Sequence, residues 1–225
     1  MNTGVRSGLE RWAGLGASIY AILFVVASVI AFSGIPDSDA RPAKVILYYS
    51  QSSHRDKWNW AWALVLFGVF FFIWFLGSLR KLLRETDPDG FLSGLAVIGG
   101  TIYATTSLLA FSLEAAIRTM SDDTYQHQVF PELIHAADDA GYVMHSAGGV
   151  GIATLMIATS LVTMRAGRIP GWAGWVGIVF GFLAIFSIFF IPQFLIFLWL
   201  LVAGVAVFRA GPAAPAQPGV PQVAS

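Results

Sequence analysis

The sequence predicts an all-α, polytopic membrane helix bundle of six transmembrane helices with both termini cytoplasmic. Three observations predict it. Hydrophobic residues make up 56% of the 225-residue chain and charged residues only 12%, about half the share of roughly 25% in a soluble domain. Apolar runs long enough to cross a hydrocarbon core of about 30 Å recur along the chain, separated by short polar stretches. Basic residues are also distributed unevenly between alternate connections. Thirteen basic residues balance thirteen acidic ones, so no electrostatic footprint for nucleic acid exists. The absence of cysteine excludes disulfides, thiolate metal sites and cysteine nucleophiles.

The first span covers about 13–32. Arg6 and Arg11 before an apolar run resemble a signal peptide, but the run exceeds the roughly 7–15 residues of a signal core, so the segment is read as a retained span. Residues 33–57 form a polar loop holding one short helix, Pro42 to Ser50, with Ser38 or Asp39 as its cap. Val45, Ile46, Tyr48 and Tyr49 give it an apolar side, which suits an interfacial helix with tyrosines at headgroup depth; the alternative is a lid over a site below. The second span, about 58–79, opens on Trp58, Trp60 and Trp62 as an aromatic belt and closes on Arg80, Lys81 and Arg84. Pro88 and Gly90 mark a turn. Spans three and four cover about 91–117 and 137–164.

From Gly171 to Phe208 the chain is apolar throughout, and as one helix it would be about 57 Å long, nearly twice the core. Pro192 divides it into spans of about 171–190 and 194–208. The Pro- and Ala-rich tail, 211–225, is expected to be disordered. With six spans, Arg6, Arg11, Arg80, Lys81, Arg84, Arg165, Arg168 and Arg209 share one side, against Arg41, Lys44, Arg55, Lys57 and Arg118 on the other, which places the termini in the cytoplasm. Long early loops and short late ones argue against an inverted-repeat transporter.

The stretch from His135 to Gly149, HAADDAGYVMHSAGG, carries the densest set of ionisable groups at the head of any span. Spans three and four are each about 40 Å long as helix, so roughly two turns of each extend beyond the core on the outer side. There Glu114 and Arg118, four apart on one face, are level with His135, Asp138, Asp139, Tyr142 and His145, while Tyr103 and Ser107 continue the face inward. Because consecutive helices pack together, these nine residues are expected to form one polar cluster. Three readings follow: a hydrogen-bonded clasp, a divalent-metal site in which His135 and Asp139 share one helix face, or the gate of a cavity for a lipid-like molecule, with Tyr103, Tyr142 and Ser107 as polar contacts. His54 and His127 are read as solvated loop histidines, and the glycine pairs Gly177/Gly181 and Gly90/Gly94 as helix-packing motifs.

The order of four features resembles a group of bacterial six-span integral membrane proteins gathered under a domain of unknown function. These features are Tyr48-Tyr49 in the outer loop, FLGSLRKLLR leaving span two, DDAGY opening span four and RAGRIPGWAGWVG leading into span five. The resemblance implies the bundle and a bacterial source; it assigns no activity and gives no residue a role.

The sequence is therefore read as a multi-pass plasma-membrane protein without enzymatic activity or cofactor. Its expected partners are membrane lipids and a lipid-like small molecule or a membrane partner, taken up at the outer ends of spans three and four. The alternative is a metal-dependent membrane enzyme acting on a lipid at the outer leaflet. A channel or transporter is disfavoured because no ionisable residue is expected near the midplane of a span.

Overall fold

The computed structural model describes residues 8–37, 39–119 and 128–210. Ser38, His127 and the 211–225 tail lie outside the described residues. The described residues form helices and connections, with no strand among them. Five helical segments are long and apolar enough to cross a membrane: Gly8–Phe32, Ser52–Arg84, Phe91–Thr119, Pro131–Arg165 and Ile191–Arg209. The protein is an all-helical bundle of the multi-pass membrane type.

The first segment comprises α1 (Gly8–Ala13) and α2 (Gly16–Phe32). The short helix α3 (Pro42–Tyr49) precedes α4 (Ser52–Arg84). Its N-cap is Arg41, without a side-chain cap bond, so Asp39 does not take the capping role expected of it; Pro42 at the first helical position starts the helix instead. The fourth segment is α6 (Pro131–Ala147) and α7 (Gly149–Arg165), joined at Gly148 by a tightened turn in which Gly148 N–H donates to the His145 carbonyl at 3.1 Å. Between them in sequence comes α5 (Phe91–Thr119).

The last apolar run divides earlier than Pro192 suggests. Helix α8 (Gly171–Ala184) stops after 14 residues and α9 (Ile191–Arg209) begins one residue before the proline. Pro192 thus occupies the first turn of α9, where a missing N–H is no loss, and starts a helix rather than ending one. The connecting turn is apolar except for Ser187, yet its backbone is not left bare. The Ile188 carbonyl accepts from the Tyr142 hydroxyl, and the Ser187 carbonyl accepts from Gln193 Nε2 at 3.3 Å. Ser187 Oγ itself donates to the Ser146 carbonyl at 2.8 Å. Side chains here supply the partners that these turn carbonyls lack within a helix.

Helices α2 and α4, α4 and α5, α5 and α7, and α7 and α8 pack in series, and α9 returns against α2. One end of the bundle gathers α1 with the C-termini of α4 and α9. There Lys81 Nζ pairs with Glu10 Oε1 at 2.7 Å, and Trp12 packs its ring on Phe208. Helices α5 and α7 cross backbone on backbone. A Cβ on Gly99 would stand 2.4 Å from the Gly151 carbonyl, and one on Gly151 would stand 2.6 Å from the Gly99 carbonyl. Of the glycine pairs read from spacing, Gly177 and Gly181 do pack, against Ser160 and against Ile157 and Ala153. Gly94 meets nothing within 4 Å and Gly90 serves a turn at φ +71°, so that pair is not a packing motif.

A side chain at the α5–α7 crossing must push two helices apart. Gly151→Leu is expected to lower stability in detergent by about 1–3 kcal/mol. Gly94→Leu, placed in open space, should leave the thermal midpoint unchanged or slightly raised. Thermal unfolding of the two purified variants beside the parent measures the difference.

Candidate functional site

Arg118 is the centre of the polar end of the bundle. Its side chain is fully buried, and each of its three nitrogens has a partner. Nε donates to the Tyr49 hydroxyl at 3.2 Å, Nη1 to the Glu114 carbonyl at 3.1 Å, and Nη2 to Asp138 Oδ1. The Glu114 carboxylate lies 3.8 Å from Nη1, and the guanidinium rests on the Trp58 ring, 3.9 Å from its centroid. The charge is therefore neutralised from two helices, stacked on a third and capped by the loop helix α3. Burial raises the Tyr49 phenol above its ordinary value, and the Arg118 charge opposes that shift.

Sequence supplies each of these contacts locally. Glu114 and Arg118 share a face of α5 with Tyr103, Ser107 and Phe111, all buried. Gly141 on α6 makes room for Glu114, since a Cβ there would stand 2.1 Å from Glu114 Oε1. Tyr49 is aimed by Arg55, whose Nη1 donates to the Tyr49 carbonyl at 2.7 Å. His54 stacks on Tyr48 at 3.8 Å and hydrogen-bonds its carbonyl through Nδ1 at 2.8 Å, so it is a fixed part of the loop rather than a solvated histidine. Trp58 is fully buried, whereas Trp60 and Trp62 are exposed; the belt expected of all three consists of the latter two.

The nine residues expected in one cluster separate into three groups. Glu114, Arg118 and Asp138 form the clasp. Tyr103, Ser107 and His145 form a second, interior group: Ser107 Oγ and His145 Nδ1 are 3.2 Å apart, and the imidazole stacks on Phe24 with centroids 5.0 Å apart and approaches the Tyr103 ring at 5.8 Å. Tyr103 also meets Tyr20 edge-on at 6.0 Å, and both tyrosine hydroxyls are buried without a hydrogen-bond partner. The third group leaves the α5–α6 interface. Tyr142 turns to the Ile188 carbonyl because that carbonyl has no helical partner, which corrects its expected place in the cluster. Asp139 is exposed and His135 half-buried. Among the described residues, no three His, Asp or Glu side chains converge on a metal-sized site, so His135 and Asp139 share a face without further ligands.

Each of the three nitrogens of Arg118 is bonded within the clasp. The large opening lies elsewhere. A crevice of about 830 Å³ is bounded by α7, α8 and α9, with Leu79 and Leu82 of α4 as its floor. That volume falls within the roughly 300–1,000 Å³ of small-molecule sites. Its walls are apolar along Val176, Phe180, Leu198 and Val202, with Thr159, Ser160 and Thr163 on the α7 side and Arg168 and Arg209 at one end. Spacing gave no signal for it, because its residues are those of any apolar helix; only the splay of α8 and α9 creates it. Comparison with family models, with curated proteins and with solved structures finds no match to this chain.

Truncating the clasp separates its parts. Arg118→Ala leaves a buried carboxylate uncompensated and is expected to destabilise by about 3–5 kcal/mol. Tyr49→Phe removes one hydrogen bond and should cost about 1 kcal/mol. Tyr103→Phe deletes a hydroxyl with no partner and should not lower stability. Denaturation of the three variants in one detergent ranks them.

Proposed function

We propose that this is a plasma-membrane protein of six crossings, with both termini cytoplasmic, that binds a lipid-like small molecule. The observation that carries this reading is the apolar crevice between α7, α8 and α9, open enough for a ligand and lined almost wholly by side chains that prefer hydrocarbon. The site is thereby moved from the outer ends of α5 and α6, where Arg118 is buried and bonded through each of its three nitrogens, to the opposite end of the bundle. Six crossings follow if α8 counts as a span. Helix α8 and its turn reach from Gly171 to Phe190, and the turn meets α6 at Tyr142. Tyr142 stands 23 residues above Arg165, about 34 Å along the helix and about one hydrocarbon thickness. The positive-inside rule then assigns the arginine-rich end to the cytoplasm. The bacterial domain-of-unknown-function group that the chain resembles is consistent with this arrangement and adds no activity to it. The metal-dependent enzyme reading lacks a third ligand beside His135 and Asp139 among the described residues.

Two measurements test the proposal. Mass spectrometry of the detergent-purified protein should find a bound amphiphile that is lost when Ala203→Phe fills the crevice and kept when Glu114→Gln alters the clasp. Equal retention in both variants would remove the crevice from consideration. Cysteine at Gln51 should react with an impermeant thiol reagent on intact cells and cysteine at Thr86 should not; the reverse pattern inverts the topology.

A further inference from the structure

The crevice has a direction. Along α9 it runs from Leu198 to Arg209, eleven residues or about 16 Å of helix. That is about half of a 30 Å hydrocarbon core, the depth of one leaflet. Its inner end, at Phe180 and Leu198, is apolar; charged side chains stand only at the outer end, where Arg168 and Arg209 line the mouth. The two arginines are not equivalent. Arg168 Nη2 is bonded to Glu85 Oε2, so that pair is neutral. Arg209 is exposed and has no carboxylate within ion-pair distance among the described residues. Two further positive features lie at the same level. Arg11 sits over the Phe208 ring, 5.5 Å from its centroid, and α8 begins at the mouth with no side-chain cap on its N-terminal amides. Glu10, the other carboxylate nearby, is held by Lys81.

A site one leaflet deep, greasy along its length and cationic at its headgroup end, matches an amphiphile in length and in charge. A neutral apolar molecule would make no use of Arg209, and a zwitterionic head brings its own positive charge to a positive mouth. We infer that the crevice takes an anionic phospholipid from the leaflet bordering Arg168 and Arg209, with an acyl chain between α8 and α9 and the phosphate at Arg209. This rests on the lipid-binding reading above and adds to it the headgroup charge and the leaflet.

The test offers the full-length protein, purified in detergent and stripped of lipid, an equimolar mixture of phosphatidylglycerol and phosphatidylcholine with identical acyl chains. Bound lipid is read by native mass spectrometry. The expected result is a phosphatidylglycerol adduct exceeding the phosphatidylcholine adduct about five-fold, the factor one basic side chain at a membrane surface provides. Arg209→Gln should abolish the preference while retaining adducts. Ala203→Phe, and independently Ala173→Phe from the facing wall, should remove both adducts. Equal adducts in the parent, still removed by the filling variants, would overturn the anionic assignment and leave the lipid-binding reading standing. Adducts that survive both filling variants would overturn the two together.

Discussion

A guanidinium cannot give up its proton inside a protein, so a buried arginine must be answered by its surroundings. Arg118 imposes that requirement on four elements at once. Asp138 of α6 supplies negative charge, the Glu114 carbonyl and Tyr49 hydroxyl each accept a hydrogen bond, the Glu114 carboxyl lies alongside, and Trp58 of α4 gives the cation a π face. Tyr49, Trp58 and Glu114 are shielded from water, and Asp138 alone is half-exposed at the rim. The position of α3 over the bundle, the depth of Trp58 and the close approach of α6 at Gly141 are consequences of that single charge. Buried ion pairs seldom add net stability over an apolar core. Their effect here is to fix which helices meet and at what height.

The two ends of the bundle are therefore unlike. At the Arg118 end, one buried arginine ties α3, α4, α5 and α6 together through its side-chain contacts. At the opposite end, α8 and α9 diverge and leave an apolar volume with positive charge only at its rim. Between them the Gly99–Gly151 crossing lets α5 and α7 touch through their backbones.

Much of the frame is legible in sequence because hydrophobic length and helical spacing are strong signals. Residues 103, 107, 111, 114 and 118 fall on one face by spacing, and that face is the buried one. Pro192 signals the break before α9 but not its side: a proline reads as a stop, whereas at a first helical turn it is a start. Trp58 reads as part of an aromatic belt because tryptophans at the head of a span usually are; the cation it packs against lies sixty residues away in sequence. Tyr142 shares a helical stripe with His145, but the demand that orients it comes from a carbonyl in another hairpin. Helical period fixes which residues share a face; it does not reveal which distant backbone group lacks a partner. The crevice has no sequence signature at all, since a void is a property of how helices diverge.

The turn between α8 and α9 depends on groups that precede it in the chain. Tyr142 satisfies the Ile188 carbonyl, and the Ser146 carbonyl receives the Ser187 hydroxyl. Synthesis runs from the N-terminus, so both partners are already in the bilayer when the final hairpin emerges. An apolar hairpin released into lipid before α6 would carry bare peptide groups at its tip. The order of the sequence thus supplies a template before the segment that needs it, and the crevice is completed by elements that follow α6 and α7 in synthesis.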